Sequence, residues 1–209
     1  MKIELTERIA GFPTVFGHSM RLPHNSHHKS DSRWYDHILD EEDIIVVDVV
    51  VDNGTEIPIV EREYNPRVIW DTDNGHEVFI VGEEDLKLAQ KLIKAGDEHS
   101  KCIRGITTFI TVTAPLYWWL EMDTYVVGRT PLSSSSSMHT ECKHLIGEEL
   151  QQVKGKLSGD YEYTRDFVTN YQTLRRMYFQ RKSHRLPEWK QFCEFITTLP
   201  LAKELITIK

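Results

Sequence analysis

Strand patterns occupy the first part of this 209-residue chain and helical patterns the rest, and this segregation restricts its fold more than any other feature. The strand-like segments are rich in Val and Ile, and two Asn-Gly pairs between them tolerate the positive φ angles of tight hairpin turns. They predict an antiparallel meander of three or four strands. The segments are residues 44–51, 57–60, 67–70 and 76–81, with the turns at Asn53-Gly54 and Asn74-Gly75.

Helical spacing of apolar residues begins after this region. Leu86, Ala89 and Ile93 recur every three or four positions before Gly96, which predicts a helix over Glu83–Ala95 that ends at the glycine. Further helices are predicted over residues 98–111, from Pro115, over 142–153, over 163–181 and from Pro187. The first 40 residues, rich in His, Ser, Pro and Gly, predict loops. The class is therefore α+β.

Composition excludes several classes of protein. The formal net charge of -7 argues against broad binding of duplex nucleic acid, which depends on excess positive charge. No apolar stretch is long enough to span a membrane, and the first residues are too acidic for a signal peptide. The three cysteines lack CxxC spacing, and Cys102 and Cys193 lie on predicted apolar faces, where thiols are usually inert. We expect a cytoplasmic chain with a single domain over residues 1–209.

A run of five serines at residues 133–137 is the first candidate site. It belongs to a predicted polar loop over residues 128–137, just before the predicted helix at 142–153. Hydroxyl groups and free backbone N–H groups in front of a helix suit a phosphate group. A flexible linker is the alternative interpretation, because Ser-rich segments are commonly flexible.

The second candidate is a basic group late in the chain. Arg181 shares a helix face with Met177, which indicates that Arg181 points inward while Arg175 and Lys182 face solvent. An inward arginine suits bidentate binding of a phosphate or a pyrimidine edge. The alternative is a solvated basic face with partners four residues away. The group consists of Arg175, Arg176, Arg181, Lys182, His184 and Arg185.

Histidine groups and an aromatic pair complete the candidates. The groups at residues 24–28 and 139–144 lack the spacing of a standard zinc site, so no metal is predicted. Trp118 and Trp119 point about 100° apart on a helix, which indicates that at least one packs in the core. Stacking on a flavin or a base is the alternative.

Taken together, these segments resemble the flavin-dependent thymidylate synthase family, in the form often found in phages and their Firmicute hosts. The resemblance covers residues 83–209 and is strongest at 99–139 and 170–189. The family has a His, a Thr-Phe pair, an aliphatic stretch ending in Pro, a helix and a serine loop, then an Asn, an Arg eleven residues on, a His and a Trp. The matching residues here are His99, Thr108, Phe109, Pro115, the serines at 133–137, Asn170, Arg181, His184 and Trp189.

The chain departs from the family pattern at arginines. Where the family has Arg-His-Arg, residues 123–126 are Asp-Thr-Tyr-Val, while Met138 and Gln172 stand in place of two further arginines. Because the family uses these arginines to contact flavin and nucleotide, their loss removes charge-assisted contacts worth about 1.5–3 kcal/mol each. Three functions therefore stay open: the family's enzyme, a non-catalytic phage protein that binds or sequesters a nucleotide on the same fold, and a protein-interaction module built on the strands.

For the enzyme, the resemblance implies reductive methylation of dUMP, or a related pyrimidine nucleotide, to dTMP. It implies FAD, NADPH and methylenetetrahydrofolate as cofactors, and a homotetramer whose sites are shared between subunits. It also implies helices packed with an antiparallel sheet, to which the strands at 44–81 would be an insertion. No catalytic residue is assigned. The implied site residues are Ser134, Ser135, Ser136 and Arg181 for the nucleotide, and His99, Glu121 and Asn170 for the flavin.

Overall fold

The computed structural model describes residues 1–7, 9–36, 46–52, 55–60, 68–70, 77–157 and 159–209. The strands in these ranges are β1 (Lys2–Leu5), β2 (Arg33–Asp36), β3 (Val46–Asp52), β4 (Thr55–Val60), β5 (Val68–Trp70), β6 (Glu77–Ile80), β7 (Thr107–Pro115), β8 (Arg129–Ser134) and β9 (Glu162–Asn170). The helices are α1 (Phe12–Thr14), α2 (Glu83–Ala95), α3 (Leu116–Met122), α4 (Gly147–Lys156), α5 (Tyr171–Arg181), α6 (Pro187–Thr197) and α7 (Ala202–Leu205). The fold is α+β, as predicted.

The largest sheet has four antiparallel strands in the order β1-β7-β9-β8. Along β7, buried residues alternate with half-buried ones, as expected of a strand with one face on a core. Ile110, Val112 and Ala114 are fully buried on the core face. On the opposite face, Thr111 Oγ1 donates to Asp166 Oδ1 of β9 at 2.8 Å. This sheet positions the helices that follow each of its strands.

Three predicted segments next to this sheet are wrong, and a fourth has the wrong start. Residues 98–111 were expected to be helical, but a short 3-10 turn at Lys101–Gly105 leads directly into β7. The predicted helix over 163–181 is strand β9 followed by α5, and the predicted loop over 128–137 is largely strand β8. The predicted helix over 142–153 begins later, at Gly147, because residues 137–144 form successive turns, such as the one closed by Cys142 N and Ser137 O at 2.8 Å.

Three helices have the predicted positions. α2 spans Glu83–Ala95 and ends at Gly96, whose φ of 113° is left-handed. α3 begins directly after Pro115, and α6 has Pro187 in its first turn. In each case a glycine or a proline fixes the boundary locally, so tertiary contacts are not needed to predict it.

An aromatic cluster forms the centre of the core between the helices. Trp118 and Trp119 are both fully buried, which confirms the core interpretation of this pair. The Trp118 ring lies 5.0 Å from the rings of Trp119 and Trp189, and 5.7 Å from that of Phe192. Trp119 Nε1 donates to the backbone carbonyl of Tyr163 at 3.0 Å, which fixes α3 on the sheet.

The first residues of the chain also enter the core, although loops were predicted there. α1 and the π-helical turn at Val15–Ser19 bury Phe12 and Phe16 completely. The Phe12 ring meets the Tyr171 ring edge-on at 5.5 Å between centroids. Apolar residues at 12, 15 and 16 carry this packing, and the surrounding Gly, Pro and His residues obscured it in the sequence.

The strands of residues 44–81 divide between two sheets. β3 pairs with β4, whereas β5 and β6 join β2 in a three-stranded sheet of order β2-β6-β5. The single predicted meander is therefore not confirmed, because β2 contributes a strand that was not predicted. Both Asn-Gly turns lie outside the described residues, and the insertion at 44–81 stays a prediction. Among the described helices, none is long and apolar enough to cross a membrane.

Candidate active site

Arg181, the last residue of α5, lies where α5 meets α3 and α6. Its Nη1 donates to Glu121 Oε2 at 2.7 Å, and Trp189 Nε1 donates to the same oxygen at 2.9 Å. His184 Nε2 is 3.4 Å from this oxygen. The Arg181 side chain is 18% exposed and that of Glu121 34%, so the ion pair is half-buried. The predicted inward orientation of Arg181 is confirmed.

Aromatic rings hold the guanidinium group of Arg181 in place. It lies 4.5 Å from the centre of the Trp189 ring and 5.4 Å from that of Tyr125. Arg181 Nε donates to the Tyr125 hydroxyl at 2.9 Å, and this hydroxyl donates to Gln180 Oε1 at 2.9 Å. Arg181 is thus oriented by several contacts, as a residue that recognises a ligand needs to be.

A first cleft of about 330 Å³ opens beside this group. Its wall combines cationic, amide and hydroxyl groups with two exposed valines, which suits a ligand that has both polar edges and an apolar face. The residues that line the first cleft are Thr124, Tyr125, Val126, Val127, Arg176, Gln180 and Arg181.

A second cleft, of about 220 Å³, adjoins the first and shares Val127 and Arg176 with it. It lies at the N-terminus of α5, where Asn170 Oδ1 accepts from Thr173 N at 3.0 Å and caps the helix. The residues that line the second cleft are Asp97, Arg104, Val127, Gly128, Asn170, Gln172, Thr173 and Arg176.

The five serines lie apart from both clefts. Ser134 pairs with Arg165 in the sheet, and Ser135 Oγ accepts from Thr164 N at 3.0 Å. These contacts are near the start of β9, whereas Asn170 is at its end, about 17 Å further along a strand. Ser136 Oγ accepts from the backbone N–H of Met138, only two residues away. Neither set of cleft-lining residues includes a serine.

His99 lines neither the first nor the second cleft. It lines a separate cavity of about 520 Å³ together with His24 and Cys102. Burial raises the pKa of the Cys102 thiol above its usual range. Of the three residues that the resemblance implies for a flavin, Glu121 therefore contacts Arg181, Asn170 lines the second cleft and His99 lines the third cavity. The structure does not bring these three together.

The basic group divides in the structure. Arg175, expected to face solvent, is half-buried, and its guanidinium donates to the backbone carbonyls of Ile206 and Ile208 near the end of the chain. Lys182 is exposed, as predicted. Arg104, which lines the second cleft, was not predicted as a site residue, because a lone arginine in a predicted helix has no recognisable pattern. In the described part of the chain, no three His, Cys, Asp or Glu side chains form a metal-binding group.

Comparisons with known proteins give a likeness of fold. No protein-family model matches the sequence, and no curated protein matches it. Among solved structures, it is similar to thymidylate synthase X (ThyX) from Helicobacter pylori with FAD and dUMP, at 13% identity and a TM-score of 0.50. A second structure, of flavin-dependent thymidylate synthase ThyX from Helicobacter pylori complexed with FAD and dUMP, gives 14% identity and a TM-score of 0.50. Both alignments cover 65% of this chain and 84% of the other.

Proposed function

We propose that this chain binds a pyrimidine nucleotide, dUMP or a close relative, in the first cleft. The observation that carries the proposal is the fixed guanidinium of Arg181 at the wall of a cleft that also presents the amide of Gln180 and the ring of Tyr125. A pyrimidine offers carbonyl oxygens and an N–H group at its edge and an apolar ring face, which match these groups. The likeness in fold to an enzyme that holds dUMP in two solved structures supports the same ligand class.

The charge of Arg181 favours the base over the phosphate as its contact. Glu121 already compensates the guanidinium through a bond of 2.7 Å, so a phosphate dianion there would also face the Glu121 carboxylate. A neutral pyrimidine edge meets no such repulsion. A guanidinium has five N–H donors, and bonds to described residues use only the Nε donor and one Nη1 donor of Arg181. The others can donate to a carbonyl oxygen of the base.

Substitution of Arg181 tests this function. We expect Arg181→Ala to weaken dUMP binding, measured by titration calorimetry, by about 1 kcal/mol or more, because hydrogen bonds from a charged donor contribute this much. Arg185→Ala is the matched control, since Arg185 is exposed and lines neither cleft. Arg181→Lys, which keeps the charge opposite Glu121 but loses the fork of donors, separates recognition from folding. Wild-type affinity in both Arg181 variants would contradict the assignment.

The flavin that the fold family implies does not fit the segment expected to hold it. A flavin dinucleotide brings a pyrophosphate, which needs positive charge or N–H donors. At residues 123–126 this chain instead places a carboxylate, Asp123, which accepts from Arg129 at 2.8 Å and from Arg165 at 3.0 Å. Val126 follows with an exposed apolar side chain. This mismatch favours a protein that binds a nucleotide without flavin chemistry.

Reductive methylation of dUMP is the second candidate function, and the fold likeness to an enzyme that holds both FAD and dUMP favours it. With it go NADPH, methylenetetrahydrofolate, a cytoplasmic location and a homotetramer as proposals for this chain. Flavin absorbance of the purified protein, before and after incubation with FAD and dUMP and desalting, separates the two functions. Retained flavin at near-stoichiometric occupancy would support the enzyme. Colourless protein that binds dUMP would support the non-catalytic binder.

A further inference from the structure

We propose that the second cleft is a binding subsite for a phosphate group, held by Arg104 and Arg176. The inference rests on the proposed function only for the identity of the nucleotide that carries the phosphate. It extends that function, because the two clefts adjoin at Arg176 and Val127. A ligand whose base lies against Arg181 in the first cleft would then place its phosphate in the second.

In the described part of the chain, these two arginines form no ion pair. Arg129, Arg165 and Arg181 each form an ion pair with a carboxylate. Across the described ranges, neither Arg104 nor Arg176 lies within 4.0 Å of a carboxylate oxygen. The cleft does contain one carboxylate, that of Asp97, so its formal charge is +1 from two guanidinium groups and one acid. Two guanidinium groups that share one cleft and form no ion pair suit an anion such as a phosphate group, because each offers a planar fork of N–H donors.

Neutral acceptors orient both guanidinium groups. Arg104 Nε donates to Gln172 Oε1, and Gln172 Nε2 in turn donates to the backbone carbonyl of Asp97 at 2.9 Å. Arg176 Nη2 donates to the backbone carbonyl of Val127 at 2.6 Å. One N–H donor of each guanidinium forms the bond that orients it, and other donors can bind a ligand. This orientation reduces the entropy that binding would cost.

The N-terminus of α5 adds to the electrostatic preference. This helix has eleven residues and begins at the cleft, so the positive end of its dipole faces the same space as the two arginines. Asn170 satisfies the N–H of Thr173. The arginines supply the specific donors, and the helix adds a fixed field that favours an anion over a cation.

Titrations with matched ligands test the subsite. The ligands are dUMP, deoxyuridine and inorganic phosphate, and the proteins are wild type, Arg104→Gln, Arg176→Gln, Arg181→Lys and the control Arg185→Gln. We expect wild type to bind dUMP more tightly than deoxyuridine, and inorganic phosphate to compete with dUMP. Arg104→Gln, at a residue that lines only the second cleft, should weaken dUMP binding about tenfold and leave deoxyuridine binding unchanged. Arg176→Gln should weaken dUMP binding at least as much, and its effect on deoxyuridine measures the contribution of Arg176 to the first cleft. Because both residues are exposed, the variants should fold, and thermal unfolding checks this.

The outcomes separate this inference from the proposed function. If dUMP binding depends on Arg181 but not on Arg104 or Arg176, the nucleotide function stands and the phosphate subsite is wrong. If inorganic phosphate binds through Arg104 and Arg176 while dUMP and deoxyuridine do not bind, the subsite stands as a site for free phosphate and the nucleotide function falls. Equal affinity of wild type for dUMP and deoxyuridine, or no binding of any of these ligands, would overturn the subsite.

Discussion

Glu121 determines what Arg181 can recognise. One carboxylate oxygen of Glu121 accepts from Arg181 and Trp189 and has His184 Nε2 at 3.4 Å. This arrangement neutralises the guanidinium and leaves its geometry intact, so its remaining donors suit an uncharged edge. Neutral acceptors orient the guanidinium groups of Arg104 and Arg176 without cancelling their charge, so these two arginines suit an anion. Arginines of both kinds occur within two adjoining clefts, and a nucleotide presents both kinds of group.

At the scale of single residues, Cys193 gives a direct test of burial. It is 5% exposed on α6, and burial raises the pKa of its thiol to about 11, with Glu194 adding to the effect. The thiolate is the reactive form, so at pH 8 only on the order of one thiol in a thousand is reactive. We expect iodoacetamide to label Cys193 at pH 8 only after denaturation, as read by peptide mass spectrometry. Native labelling at the denatured rate would contradict the buried position.

At the scale of elements, the turn before β8 depends on Gly128. Its φ is 84°, and a Cβ atom there would lie 2.0 Å from Thr173 Oγ1 in the first turn of α5. Its carbonyl accepts from Thr169 Oγ1 at 2.8 Å. A side chain at this position would push the turn away from α5 and distort the second cleft, which Gly128 lines.

We expect Gly128→Ala to lower the free energy of unfolding by about 2 kcal/mol or more, since both a left-handed backbone and a steric clash oppose it. Gly96→Ala is the matched control, because Gly96 also has a left-handed φ but no atom within 4 Å of the added Cβ. Urea denaturation of the two variants and wild type measures the difference. If Gly96→Ala costs as much as Gly128→Ala, the contact with Thr173 is not what requires the glycine.

The same scale shows which elements the sequence predicts. α2, α3 and α6 have a glycine or proline at a boundary and an apolar stripe, and both signals are local. β7 was predicted as helix because Ile103, Ile106 and Ile110 recur at helical spacing. Ile106 and Ile110 are four positions apart, and residues four apart lie on the same face of a strand as well as of a helix. The pairing of β7 with β1 and β9 makes this segment a strand, and no local sequence pattern predicts that pairing.

The candidate site was predicted in part for the same reason. The orientation of Arg181 follows from its spacing to Met177 on one helix, and Met177 is fully buried. The ion pair between Arg181 and Glu121 joins residues that lie 60 positions apart in sequence on two different helices, and no sequence spacing predicts it. The serines have a recognisable composition, but their place at the sheet edge depends on β9. Contacts between side chains that only tertiary packing brings together cannot be predicted from sequence spacing.

At the scale of the whole molecule, the first third of the chain is joined to the rest by a buried charge. The Asp85 carboxylate, at the start of α2, is fully buried. Its Oδ1 accepts from Arg21 Nε at 2.5 Å, and its Oδ2 accepts from Ser30 Oγ at 2.5 Å and Ser32 Oγ at 2.6 Å. Residues far apart in sequence thus converge on one carboxylate, and the segment that precedes β2 is fixed to α2 through it.

This carboxylate makes stability depend on acid pH. Burial by itself would raise the pKa of Asp85, but hydrogen bonds from Ser30, Ser32 and Arg21 outweigh burial and lower the pKa below its usual value of 3.8. The unfolded chain then binds a proton more readily than the folded one. The stabilisation from Asp85 is therefore fully present above about pH 4 and is lost as the pH falls through the folded-state pKa.

We expect Asp85→Asn to lower the free energy of unfolding at pH 7 by about 3 kcal/mol, because it leaves the half-buried guanidinium of Arg21 without its charged partner. The loss should shrink as the pH falls below about 4, where protonation removes the same charge from wild type. Urea denaturation at pH 7, 5 and 3 measures this convergence. Asp31→Asn is the control at the same junction, since the exposed Asp31 accepts from the backbone N–H groups of Glu84 and Asp85 and forms no ion pair with a described residue. A constant difference between wild type and Asp85→Asn at every pH would show that the Asp85 charge does not stabilise the fold.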